Sequence, residues 1–165
     1  MARSGPAEIA VLRSISLLSD QGDPYTVTEC YRLLGDICRS RGATRKAITH
    51  FETALGIATP FNWLDQLFWI HYSLGHLFFR ENRFEDAHTN TERIKSYTVD
   101  DPYHLGRAME LQAGYWRDER KFEKAKSEAL RAAEVYRKIG ATKDVEDCRV
   151  ILRDIEEKMK TQDPR

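Results

Sequence analysis

WLDQLFWIHYSLGHLFFRENRFEDAHTNTERI, residues 63–94, holds two marks that return elsewhere in the chain. In it, Leu74-Gly75 is followed by Ala87, twelve residues after the glycine. Leu34-Gly35 stands at the same distance before Ala47, and Ala113-Gly114 precedes Ala125 with one residue fewer between. The three alanines are therefore spaced by 40 and then 38 residues. A fixed period of that size marks helical units that cannot bury their apolar faces alone and must stack.

The segments around these marks read as helices. Ile9, Leu12, Ile15 and Leu18 recur every third residue, an amphipathic helix over residues 6–19 that Gln21-Gly22-Asp23 breaks. Asp23-Pro24-Tyr25 opens the next helix, with an aspartate to accept from free amides and a proline where the missing N–H costs nothing. The same tripeptide returns at Asp101-Pro102-Tyr103, an independent sign of repetition. Gly42 ends the first helix, Thr44 is placed to cap its partner, and Thr59-Pro60 closes the hairpin. Asn62 is the expected cap of the second copy, and Asn82 with Glu85 reads as a capping box. Gly140 stops the third copy, and a last helix puts Val145, Cys148, Ile151, Leu152, Ile155 and Met159 on one side with charges opposite. The expected layout is a disordered start (1–5) and one helical-repeat domain (6–160), with a tail at 161–165. Within the domain, repeats at 24–58, 62–97 and 102–139 follow the first helix and precede a capping helix at 143–160.

Composition narrows the function. The 26 basic and 26 acidic side chains cancel, which leaves no long-range field to draw in nucleic acid. No apolar run reaches the ~18 residues of a membrane span, and the N-terminal segment, broken by Arg13 and Ser14, does not read as a secretory signal. Cys30, Cys38 and Cys148 show no CxxC spacing and read as reduced core thiols of a cytoplasmic protein. His50, His71, His76, His88 and His104 show no metal-ligand spacing, and no phosphate-binding loop or nucleophile elbow occurs. The expectation is no enzyme, no cofactor and no metal, with His71 a core residue.

Small residues explain the period. Two helices of a hairpin approach closely only where side chains are small, which Gly35, Gly75 and Ala113 provide on the first helices and Ala47, Ala87 and Ala125 on the second. On these residues the sequence resembles the tetratricopeptide repeat (TPR) family. Copy one matches its pattern at Leu34, Gly35, Ala47, Phe51 and Ala54. Copy two matches at Leu74, Gly75, Phe78 and Ala87, and copy three at Trp116, Ala125 and Ala132, with Ala129 in the aromatic place. The spacing is similar to the longer-helix variant seen in some signalling regulators and kinesin light chain. The segment from Asp101 to Glu110 and the final helix also resemble TPR tails of fungal NLR-type proteins. The expected fold class is thus all-α: a right-handed superhelical stack of three TPR-like helical hairpins, with an N-terminal helix and a C-terminal capping helix.

The resemblance implies a concave groove lined by first helices. Carried over residue by residue, its positions are Glu29, Arg32, Asp36 and Arg39; Trp69, Tyr72, His76, Phe79 and Arg80; and Arg107, Glu110, Arg117 and Asp118. Trp69, Tyr72, His76 and Phe79 step by three and four and form an aromatic stripe distinct from Leu67, His71, Leu74 and Phe78. A helix apolar on two faces is either buried on both or holds one for a partner, and sequence leaves both open for Trp69 and Tyr72. The family's chaperone-tail clamp is a poor fit: Arg32 and Arg107 could serve, but Asp36 replaces an asparagine and Leu111 an arginine. The expected function is a non-catalytic module that binds a protein, as a peptide or helical segment, in this groove. Two other readings stand beside it: a self-associating oligomerisation module, and a ligand-sensing segment of a larger NLR-like regulator.

Overall fold

The computed structural model describes residues 5–162, with the side chains of residues 19–21 and 162 not described. The expected disordered start and tail therefore fall mostly outside the described residues. Among those described, eight α-helices follow one another: α1 (Pro6–Gln21), α2 (Pro24–Ser40), α3 (Thr44–Ala58), α4 (Leu64–Arg80), α5 (Phe84–Tyr97), α6 (Pro102–Asp118), α7 (Phe122–Lys138) and α8 (Thr142–Gln162), with one 3₁₀ turn at Thr59–Phe61. No strand occurs among them, and none of the helices is long and apolar enough to cross a membrane. The chain is all-α, as the periodicity required. Its contacts gather into two compact units, one up to Glu81 and one from Asn82.

In the first unit, α2 and α3 pair closely, with α1 and α4 packed on them. The pairing turns on Gly35. A Cβ built there would lie 2.7 Å from the Phe51 ring, and that ring is fully buried. Phe51 thus sits directly on the glycine. Ile15 of α1 joins Val27 and Leu34 of α2, with Val11, Leu18, Tyr31 and Ile57 around them. The α4 stripe Leu67, His71, Leu74 and Phe78 is buried throughout.

In the second unit, α6 and α7 form the closest pair, and α8 covers α7. Ala87, Thr91 and Ile94 of α5 are fully buried, as are Ala125, Ala129 and Ala132 of α7. The close crossing differs from expectation. Ala113 is buried, but a Cβ at Gly114 would meet nothing within 4 Å, whereas one at Gly106 would lie 2.6 Å from the Tyr136 ring. The glycine that this hairpin requires stands two turns earlier than the Ala113-Gly114 pair. Met109, Ala133, Val145 and Cys148 close around Tyr136, and burial pushes the Cys148 thiol up to about 12, where it is inert.

Helix ends obey the local code in part. Asp23 accepts from the Thr26 amide and Asp101 from the His104 amide, both at 3.1 Å, with proline at the first turn in each case. Gly42 and Gly140 take φ of 71° and 73°, the left-handed conformation that ends a helix. Asn62 and Asn82, expected as N-caps, instead hold left-handed φ of 50° and 59°. The helices after them start from Trp63 and Arg83, without a side-chain cap, and α3 starts likewise from Ala43 rather than capped by Thr44. Asparagine tolerates both roles, and the short connections leave room for the turn-ending one.

Candidate functional site

Helix periodicity builds the site in the first unit. Along α2, Tyr25, Glu29, Arg32, Asp36 and Arg39 step by four, three, four and three, one continuous face. Along α4, Asp65, Trp69, Tyr72, His76 and Phe79 step the same way. The two faces meet: the Tyr25 hydroxyl donates to Asp65 at 2.5 Å, and further along, a cavity of about 230 Å³ is lined by Arg32, Asp36, Arg39, Trp69, Tyr72, Ser73 and His76. Six of the residues expected from sequence therefore share one concavity. Phe79 is half-buried and Arg80 exposed at the end of the α4 face, and Glu29 is half-buried one turn before Arg32; none of the three lines the cavity.

Within the aromatic stripe, Tyr72, His76 and Phe79 are half-buried. Trp69 is 45% exposed, while the stripe behind it is core. Its ring meets Tyr72 edge-on at 5.9 Å, and Tyr72 meets His76 at 4.9 Å, so the three rings support one another in a row. Beside them, Arg39 donates to one oxygen of Asp36 from Nε and Nη2 at 3.2 and 2.8 Å. Arg32 Nη1 stands 3.6 Å from the other oxygen, and Arg32 Nε is buried with no acceptor among the described residues. Asp36 is committed mainly to Arg39, which leaves Arg32 the less engaged cation.

The remaining expected residues belong to the second unit. Arg107 and the Tyr136 hydroxyl both donate to Glu110 Oε2, at 3.3 and 3.2 Å. Arg117 binds Asp118 at 2.8 Å and lies 3.3 Å from Asp154. Glu110 is thus turned against α7 and serves packing, a placement that its groove position did not foretell. Burial raises the Glu110 carboxyl above its ordinary 4.5, against the opposing pull of Arg107 and Tyr136. A native state that holds this proton more firmly than the unfolded chain gains stability as pH falls through the window above 4.5. That gain is lost as pH rises past the folded-state value. In urea titrations between about pH 7 and pH 4, wild type is expected to gain on Glu110→Gln as the pH falls; parallel curves would refute the buried-carboxylate account.

One polar cluster escaped the sequence reading. His88 of α5 lies 2.5 Å from Gln112 through Nδ1 and 2.5 Å from Glu119 through Nε2, and its ring stacks on Trp116 at 3.6 Å. Lys121 and Lys124 stand over the same indole at 4.6 Å. Gln112, Trp116 and Glu119 share a face of α6, so one imidazole ties α5 to α6. The only sequence signal was the four-and-three spacing on α6, which says nothing of a partner 24 residues away. No three His, Cys, Asp or Glu side chains among the described residues are grouped to hold a metal ion.

No protein-family model matches the chain, and no curated protein sequence does. Solved structures do. BtubC from P. vanneervenii is similar at 18% identity and a TM-score of 0.62, over 87% of this chain and 68% of that one. A Rap protein complexed with competence and sporulation factor is similar at 15% identity and TM-score 0.57, over 93% of this chain and 47% of its own. Aspartyl phosphate phosphatase F from Bacillus subtilis follows at 14% identity and TM-score 0.61, over 91% and 43%. The chain spans less than half the length of the latter two. At these identities the likeness establishes the fold, a helical repeat.

Proposed function

We propose that the chain is a non-catalytic, TPR-like protein-interaction module that receives a peptide or helical segment of another protein along the α2–α4 face of its first unit. The observation that carries this reading is the row of exposed Trp69 and half-buried Tyr72 and His76, which lines a cavity together with Arg32 and Arg39. Aromatics with part of their surface open to solvent supply contact area at small entropy cost, and arginine forks supply orientation. The Rap neighbour, solved with competence and sporulation factor, is consistent with such a role without extending it to this chain. A cavity of about 230 Å³ is smaller than the ~300 Å³ at which small-molecule sites begin, which speaks against a ligand-sensing segment at this place.

The test is a pull-down from native lysate with wild type beside a Trp69→Ala, Arg80→Glu double variant, after circular dichroism shows equal helicity. Loss of a partner with the variant alone is the expected result, and a titration should then show roughly thirty-fold weaker binding. Partners kept by both proteins would move the site elsewhere.

A second reading, self-association, is favoured by α1 and its neighbour, where Ile9, Leu12 and Leu33 are 42%, 45% and 46% exposed. Light scattering across a dilution series separates the two, since a constant monomer mass removes it.

A further inference from the structure

We infer that the cavity between α2 and α4 takes one acidic side chain of the partner, an Asp or Glu within a continuous segment, with a neighbouring apolar residue of that segment laid on Trp69 and Tyr72. This rests on the interaction reading above and adds the chemistry of the ligand. Size comes first: about 230 Å³ holds roughly eight waters' worth of space, room for a single large side chain.

Charge comes next. Among the lining residues, two guanidiniums face one carboxylate, so one positive charge is left over. Asp36 has its short bonds with Arg39, and its contact with Arg32 is the long one at 3.6 Å. Arg32 Nε finds no acceptor among the described residues, so this guanidinium keeps donor capacity in hand. A carboxylate that enters beside it gains a charge-assisted bond and balances the lining, whereas a phosphate dianion would leave excess negative charge beside Asp36. The groove is also polar along its length. Glu29 and Asp65 make its N-terminal end acidic, with the neutral Tyr25 hydroxyl donating to Asp65 there, so a carboxylate is directed to the arginine end.

Continuity argues for a side chain rather than a chain terminus. The α4 face runs past the cavity to Phe79 on one side and back towards Trp63 on the other, where Trp63 stacks on Phe61 at 4.4 Å and meets Tyr25 at 5.0 Å. A segment can therefore pass through the site with apolar contacts on both sides of the acid.

The test is selection of random linear peptides displayed on phage through their C-termini, with wild type as bait and Trp69→Ala and Arg32→Gln as parallel baits of confirmed helicity. The expected winners carry an Asp or Glu next to an aromatic or aliphatic residue and are lost on both variants. A synthetic winner with its acid changed to the amide should bind at least about tenfold more weakly. Winners that need Trp69 but neither Arg32 nor an acid would overturn this inference and leave the interaction reading intact. Winners indifferent to both variants, or none at all, would overturn both. A winner bound more tightly when its acid is replaced by phosphoserine would overturn the preference for a single negative charge.

Discussion

Gly35→Ala should destabilise the protein by about 1–3 kcal/mol, although alanine is the better helix former. The added Cβ would stand 2.7 Å from a phenyl ring that has no solvent to retreat into. Phe51→Ala should cost more, about 3–5 kcal/mol, because it empties the centre of the α2–α3 pairing. That is a large share of the ~5–15 kcal/mol that holds a typical protein folded. The informative result is the combination. Once Phe51 is gone, Gly35→Ala should become neutral or favourable by up to ~1 kcal/mol, as intrinsic propensity dictates. A double-mutant cycle by chemical denaturation, read by circular dichroism, measures this reversal of sign. Additive losses would show that the ring does not rest on the glycine.

Tyr136→Ala should have a comparable effect in the second unit, about 3–5 kcal/mol. Tyr136 is the largest of the fully buried side chains; it fills the space over Gly106 and is enclosed by Met109, Ala132, Ala133, Val145 and Cys148. Its hydroxyl has a separate and smaller task, donation to the Glu110 carboxylate. Tyr136→Phe keeps the ring and should cost only about 1–3 kcal/mol, the penalty for a half-buried carboxylate left with one donor fewer. Thermal or urea unfolding of the two variants ranks them. Equal losses would mean that the hydroxyl, not the ring, holds the hairpin.

Much of the fold was legible because its causes are local or periodic. Ala47, Ala87 and Ala125 all prove to be fully buried, and a spacing near 40 residues could mean little else than stacked hairpins. Asp-Pro-Tyr opened both helices it was expected to open. The α4 face of Leu67, His71, Leu74 and Phe78 was separable from the aromatic face by spacing alone. The misreadings share a cause as well. Asn62 and Asn82 can end one helix or begin the next, and the distinction depends on the path of the connection. Gly106 was passed over because nothing near it in sequence announces a ring 30 positions later.

Sequence by itself determined that this chain is a succession of helices, which faces of them are apolar, and, at Gly35, where a small residue permits close approach. Those properties follow from the 3.6-residue turn and from side-chain volume, both of which act over one helix or one hairpin. The tertiary structure alone decided that an exposed Trp69 and a half-buried Tyr72 line one cavity with Arg32 and Arg39, that Glu110 turns onto Tyr136, and that His88 bridges Gln112 and Glu119. Each of these depends on which helix becomes the neighbour and at what rotation, a choice made by packing complementarity between residues far apart in the chain.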